Sequence, residues 1–471
     1  MNEHQQNILK DIHRQKYHIA APVGWINDPN GLIQYKGEYH VFYQYHPYSA
    51  SWGPMHWGHV KSSDLVHWQN LLVAIAPGDD YDDGGCFSGS AVDDDGILTL
   101  IYTGNRISEQ LSQNQCIATS IDGVHFTKYA SNPIIPKAPQ EGIRDFRDPK
   151  VWKKDGYWYM VTGSKKDGFG QVLLHKSIDL RNWEYIGVAA QGDEGMGDMW
   201  ECPDLFELEG MHVLITSPMN MKNGKNIYMV GEMDYTSGKF TKKYCGEIDY
   251  GFDFYAAQTF LDDKGRRILL AWMDSWGAKS PTKLHGWSGS LTLPRVINLM
   301  SDGKLYMQPV PELESLRGEM QETRNILICE TDDYNLDWQL GTAIELIIRF
   351  DLDACTADEF GIKVRCSKDY SEETVVGYNT LTKELFVDRD KSASVYQSGN
   401  TEKGISKCKL DTNDGVIEIH VFMDSSSIEV FGNKGRSAIS NRVYPSESSM
   451  GMNLFARNGE VKLLCLKKWG L

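Results

Sequence analysis

Residues 27–274 repeat one plan five times, and that repetition limits the fold more than any other feature of the chain. Each copy is a short strand, a charged turn ending in glycine, and an apolar-aromatic strand. The copies are NDPNGLIQYKG with EYHVFYQY, CFSGSAVDDDG with ILTLIYTG, RDPKVWKKDG with YWYMVTGS, ECPDLFELEG with MHVLITSP, and YAAQTFLDDKG with RRILLAWMD. The turn glycines Gly37, Gly96, Gly156, Gly210 and Gly265 fall 54 to 60 residues apart. A second marker keeps the same step: SSDLVHW, SIDGVHF, SIDLRNW and MDYTSGKF end on Trp68, Phe126, Trp183 and Phe240, 57 or 58 residues apart. Each unit holds about four strands, the content of a propeller blade. Aromatic strand pairs of this length suit a closed ring better than an open solenoid. The sequence therefore predicts five blades.

After Pro311 the markers stop. AIELIIRF, FGIKVRC, ETVVGYN, KELFVDR, VIEIHVFMD, SIEVFG and VKLLCLKKW alternate or run apolar over strand lengths, as in an antiparallel β-sandwich. Two domains also suit a chain of 471 residues, too long for one ordinary core. The expected fold is all-β: a five-bladed propeller over 1–311, a connector with a helical turn over 312–328, and a sandwich over 329–471.

The net charge of −16 disfavours a nucleic-acid partner, which needs a basic face. Met1 to Tyr17 is polar and lacks the apolar core of a signal peptide, and no later stretch is long enough to span a bilayer. Nine cysteines without CxxC spacing indicate neither a disulfide framework nor a zinc site; they read as reduced, mostly buried thiols. A cytoplasmic protein acting on a small molecule, with no membrane or nucleic-acid partner, is the expectation. No feature specifies an oligomeric state.

The repeat serves as a ruler for the chemistry. Nine residues before the turn glycine stand Asp28 in the first unit and Glu201 in the fourth; eight before it stands Asp148 in the third. The first strand of each blade lines the central channel, so these carboxylates are expected at equivalent places around one mouth. Phe87 with Ser88, and Tyr255 with Ala256 and Gln258, take the matching places in units two and five and supply an apolar wall and polar contacts. A lone acid is ordinarily a solvated surface charge. Acids that share a pocket repel, and the arrangement persists where chemistry needs one protonated and one ionised. Glycoside hydrolysis needs that split. A sugar-binding propeller without catalysis is the rival reading of the same convergence.

The residues on this ruler also carry a resemblance. HIAAPVGWINDPNG (His18 to Gly31), FSGS (Phe87 to Ser90), FRDP (Phe146 to Pro149), ECPD (Glu201 to Asp204) and WSGSLTLPR (Trp287 to Arg295) resemble the motifs of glycoside hydrolase family 32. DSSSIEVFGNKGR (Asp424 to Arg436) extends the likeness into the second domain. That family comprises invertases, sucrose-6-phosphate hydrolases, inulinases and levanases, built as a five-bladed propeller plus a β-sandwich. The resemblance implies that Asp28 is the nucleophile, Glu201 the acid and then base, and Asp148 a non-covalent stabiliser of the oxocarbenium-like transition state. It implies that Trp25, Gln44 and Trp52 bind the fructosyl unit and that Cys202 tunes Glu201. On physical grounds Asn27 and neighbouring backbone donors are expected to keep Asp28 ionised, and Arg147 to do the same for Asp148. Glu201 is expected to be the acid held protonated by burial and two negative neighbours.

Trp276, after AWMD, is expected at the entrance. His56 and His59 have metal-like spacing but no third ligand nearby, and read as structural. Asp82 and Asp83 read as loop charges. The mechanism calls for no metal or cofactor. The expected activity is retaining hydrolysis of terminal β-D-fructofuranosides, sucrose 6-phosphate first because of the expected location, then sucrose. Fructan hydrolysis and fructosyl transfer are the alternatives. Lys165, Lys166 and Lys279 are the rim cations available to a phosphate.

Overall fold

The computed structural model describes residues 8, 10–107, 113–139, 145–222, 224–330, 334–336, 338, 341–393, 404–412 and 414–471. The first seven residues of the expected propeller span, and 394–403 of the expected sandwich, lie outside them.

Nearly every turn of the repeat is a tight hairpin, and the dihedrals say why glycine ends it. Lys36 and Gly37, Asp95 and Gly96, Asp155 and Gly156, and Glu209 and Gly210 all have positive φ. That is the type I′ pair whose twist matches the flanking strands. The fifth turn differs: its strands stop at Leu261 and resume at Arg267, a longer loop closed by Asp262 N–H to Arg266 C=O at 2.9 Å.

These hairpins open sheets of four strands in chain order, beginning with the strands Gly24–Tyr35, Gly85–Asp94, Phe146–Lys154, Met199–Leu208 and Tyr255–Leu261. Those first strands pack side by side in sequence, and Tyr255–Leu261 returns to contact Gly24–Tyr35. The short strand Trp287–Ser288 then pairs in parallel with Gly24 and Trp25, tying the end of this region onto its beginning. The second marker is a side-chain-built turn. Asp64, Asp122 and Asp179 each accept the backbone N–H groups two and three residues on, at 2.8–3.0 Å. Phe126, Trp183 and Phe240 pack from there into the cores between sheets.

Beyond a 3₁₀ turn at Pro311–Leu316, two six-stranded antiparallel sheets face each other over an apolar core that includes Leu346, Phe350, Phe360, Val430 and Leu454. The segment expected to be a connector over 312–328 holds that turn and then most of a strand, Met320–Cys329, which pairs with Glu460–Gly470. Its pattern of exposed residues hides a strand at the edge of its sheet, where one side lacks a neighbour.

A buried charge network joins the two halves. Arg295, wholly buried, donates to Asp249 at 2.8 Å and to Glu429. His18 lies between Asp424 and Glu429, 2.8 Å from each. Burial works against a charged His18, but hydrogen bonds to the two carboxylates lift its pKa to about 8. Burial works against Glu429 as well, and Arg295 with His18 holds it at about 2.

Candidate active site

All five first strands step out of register at the same level, between Ile26 and Pro29, Phe87 and Gly89, Arg147 and Lys150, Glu201 and Asp204, and Tyr255 and Gln258. Such bulges re-aim side chains next to active sites. Asp148, Cys202 and Ala256 take positive φ within them, at 62°, 49° and 55°. This corrects the spacing rule by one residue. Asp148 corresponds to Cys202, and Glu201 corresponds to Arg147, since both of the latter are the last residues in register before the bulge. Asp28, at the same nine-residue offset as Glu201, lies inside its bulge between Ile26 and Pro29, so equal offsets mark different places.

The bulges surround a cavity of about 270 Å³. Asp28, Asp148 and Glu201 all line it, with Asn27, Gln44, Ser88 and Arg147 between them. Trp52, Phe87 and Trp276 form its aromatic rim; Trp52 and Trp276 are each about half exposed, and Phe87 meets Trp52 edge-on at 6.1 Å. Gln44 is fixed by donating to Cys86 C=O at 2.9 Å. Two expected contacts stand behind the wall instead of in it. Trp25 is buried against Trp272, and Tyr255 is buried with its hydroxyl on Glu201.

Each carboxylate has a different environment. Asp28 accepts Asn27 Nδ2 at 2.9 Å on Oδ1, and Ser88 Oγ at 2.6 Å and Cys202 Sγ at 3.4 Å on Oδ2. Those donors favour the ionised form, yet burial outweighs them and, with the charge of Glu201, leaves the pKa of Asp28 raised. The expectation that hydrogen bonding alone keeps it low omitted this desolvation. Asp148 accepts the Cys202 N–H at 2.9 Å, while its own N–H donates to Thr103 Oγ1 at 3.0 Å. Burial, with Glu201 and Asp28 adding to it, lifts Asp148 to about 7 against the pull of Arg147.

Arg147 also departs from expectation. Its Nε lies 3.9 Å from Asp148, whereas Nη2 and Nε donate to Glu201 Oε1 at 2.8 and 3.2 Å. The in-register places of neighbouring bulges bring these two side chains together, and the bulge turns Asp148 away. Tyr255 donates to Glu201 Oε2 at 2.6 Å. Glu201, expected beside two negative neighbours, thus has a cation bound directly as well.

Sequence reasoning missed Asp145 and Gln113. Asp145 accepts Arg147 Nη1 at 2.7 Å and pairs with Lys165 at 3.2 Å, and Gln113 lines the cavity. Both stand just outside the motifs, one residue before FRDP and at the start of a second-sheet strand, so only their proximity in space marks them. Lys166 and Lys279 are exposed and do not line the cavity. Asp82 lies in the turn before the second sheet, as expected, but is not a solvated charge. It is fully buried and accepts Lys128 Nζ at 2.6 Å, Tyr102 OH at 3.0 Å and the N–H groups of Gly78 and Asp79 at 3.0 Å. Asp83 is exposed. His59 Nε2 meets His40 Nδ1 at 2.9 Å, and His56 Nδ1 meets the Pro54 carbonyl at 3.1 Å.

Sequence models of known families match nearly the whole chain: the glycosyl hydrolases family 32 N-terminal domain over 18–309 and the family 32 C-terminal domain over 312–470. A sucrose-6-phosphate hydrolase of Zymomonas mobilis is 40% identical, over 97% of this chain and 91% of its own. A raffinose invertase of Escherichia coli is 39% identical, over 97% and 94%. Among solved structures, a GH32 beta-fructofuranosidase of Bombyx mori superposes with a TM-score of 0.84 at 32% identity, covering 100% of this chain and 97% of that one.

Proposed function

The chain belongs to glycosyl hydrolase family 32, and we propose that it hydrolyses terminal non-reducing β-D-fructofuranosides, sucrose 6-phosphate and sucrose, with retention at the anomeric carbon. One observation carries the reading: Asp28, Asp148 and Glu201, from three different sheets, meet on one cavity in three different hydrogen-bonding environments. Five sheets whose first strands contact in order and close on themselves support a five-bladed propeller, ending near Pro311 and followed by the sandwich.

In the first step an Asp28 oxygen attacks the anomeric carbon of the fructosyl unit as the bond to the leaving oxygen breaks. Glu201 gives its proton to that oxygen, and the leaving sugar departs as an alcohol. In the second step water attacks the same carbon, Glu201 takes its proton, and the bond to Asp28 breaks. Asp148 makes no covalent bond; it offers its free oxygen to fructosyl hydroxyls and stabilises the positive charge that develops on the ring. Ser88 and Asn27 hold Asp28 ready to attack, and Trp52, Phe87 and Trp276 present apolar faces to the sugar.

The substrate pair follows from the relatives, one named for sucrose 6-phosphate and another as an invertase. A phosphorylated sugar is retained inside cells, which supports a cytoplasmic location. Proton NMR during early turnover of sucrose should show β-fructofuranose as the first sugar formed; the α anomer first would overturn retention. Comparing kcat/KM for sucrose and its 6-phosphate at two ionic strengths decides between the two substrates. Poorer turnover of the phosphate at both leaves free sucrose. Transfer in place of hydrolysis would appear as tri- and higher saccharides at high sucrose.

A further inference from the structure

Trp25 is 4% exposed and its indole does not reach the cavity. Its ring stacks on Trp276 at 6.1 Å and tilts against Trp272 at 5.6 Å, and Lys283 Nζ sits 5.2 Å from its centroid. What it offers the site is one hydrogen. Trp25 Nε1 donates to Asn27 Oδ1 at 2.7 Å, and Asn27 Nδ2 donates to Asp28 Oδ1 at 2.9 Å.

The chemistry of these groups admits one arrangement. An indole N–H can only donate, and an ionised carboxylate can only accept. The amide between them has one acceptor end and one donor end of nearly the same shape, so packing does not distinguish its two orientations. With the carbonyl toward Trp25 and the NH2 toward Asp28, both contacts are satisfied. Turned over, the amide would set NH2 against N–H and C=O against carboxylate, two repulsions in a buried place where unpaired polar groups are costly. Asn27 is itself 3% exposed, so little of its amide is open to water.

We propose that Trp25 is a positioning residue, whose indole N–H locks the Asn27 amide so that its NH2 group faces Asp28 and keeps that carboxylate ionised and aimed. The inference rests on the reading of Asp28 as nucleophile. Around Asp28 stand Ser88 from the second sheet, Asp148 and Arg147 from the third, Glu201 and Cys202 from the fourth and Tyr255 from the fifth, with Lys283 beyond Trp25. Two of these are carboxylates and burial already disfavours the charge on Asp28, so a single donor on Oδ1 carries weight.

The test is the pH dependence of kcat/KM for sucrose in the wild-type enzyme, Trp25→Phe, Asn27→Ala and the double variant. Each single change should move the acid limb to higher pH by about one unit, the scale of one charge-assisted hydrogen bond. The double variant should move it no further than Asn27→Ala, because Trp25 acts only through that amide. An unmoved limb in Trp25→Phe, or a further shift on adding Trp25→Phe to Asn27→Ala, overturns the inference and leaves Trp25 a packing residue. If Trp25→Phe does not fold, benzothienylalanine at position 25 keeps the bicyclic shape, lacks the N–H and is read in the same way. Asp28→Asn separates the two levels. Retained activity there overturns the nucleophile and the positioning role together, whereas an inactive Asp28→Asn with additive limbs overturns only the role of Trp25.

Discussion

Tyr255 OH lies 2.6 Å from Glu201 Oε2 and 3.0 Å from the carbonyl oxygen of Ser217, so one phenolic hydrogen faces two acceptors. The carbonyl can only accept. Glu201 Oε1 faces the N–H groups of Arg147, so the proton of the acid form belongs on Oε2. When Glu201 is protonated in the free enzyme, Tyr255 accepts from it and donates to Ser217; with substrate bound, that hydrogen turns to the leaving oxygen. When Glu201 is ionised, the hydroxyl turns and donates to the carboxylate. The phenol thus supports the site in both halves of the reaction.

Tyr255→Phe removes an ordinary hydrogen bond from the protonated form, worth about 1 kcal/mol, and a charge-assisted one from the ionised form, worth about 1.5–3 kcal/mol. The ionised form loses more. The alkaline limb of kcat/KM should therefore move to higher pH, by about one unit. An unmoved limb would show that Tyr255 only fills space behind Glu201.

Asp148→Asn should act differently. Its carboxylate faces developing positive charge, so its loss should slow every substrate alike, by about two orders of magnitude, whatever the leaving group. Glu201→Gln should instead spare substrates with activated leaving groups, which depart without a proton. Asp148 and Asp28 repel, and the pKa of each stands above its ordinary value. Removing the charge at 148 should let Asp28 ionise more easily, and the acid limb should move to lower pH. Rate profiles across a leaving-group series, each at several pH values, check both statements. A leaving-group dependence shared by the two variants would show that the roles are misassigned.

The repeated hairpins were legible because the turn chemistry recurs: a residue followed by glycine, both at positive φ, leaves a signature in four of the five units. That Asp28, Asp148 and Glu201 share one cavity was legible for the same reason. Their partners were not. Whether Arg147 serves Asp148 or Glu201 depends on a bulge that turns consecutive residues in different directions, and sequence adjacency favours the wrong one. Asp82 looked like its exposed neighbour Asp83, because nothing local reveals that Lys128 and Tyr102 arrive from other strands of the same sheet. Trp25 and Tyr255 were expected among the contacts to substrate; neither lines the cavity, and Tyr255 reaches the site through Glu201.

Gly163 tests how tightly the third and fourth sheets must approach. A Cβ there would lie 2.0 Å from the carbonyl oxygen of Trp200, the residue before Glu201. Backbone cannot move aside as a flexible side chain can. Gly163→Ala should cost about 1–3 kcal/mol of stability. It should also displace Glu201 relative to Arg147, so kcat should fall more than KM rises. Thermal unfolding together with steady-state kinetics measures both. Unchanged melting with unchanged kcat would mean that the sheets part without strain.

The last prediction concerns pH and the joint between the two halves. His18 is buried between Asp424 and Glu429, and its folded pKa of about 8 exceeds its ordinary value of 6.5. A raised pKa means that the folded state binds this proton more tightly than the unfolded chain does. The stabilisation is fully present below pH 6.5 and is lost as pH rises through 8. A shift of this size corresponds to about 2 kcal/mol. Melting temperature should therefore fall between these two pH values in the wild-type protein. His18→Gln keeps a hydrogen-bonding side chain but cannot take up the proton, so its stability should start lower and stay flatter over the same range. The kinetic limbs set by the carboxylates should not follow His18, which belongs to the joint with the sandwich and not to the cavity. Equal slopes of melting temperature against pH in the two proteins would show that His18 does not hold its proton in the folded state.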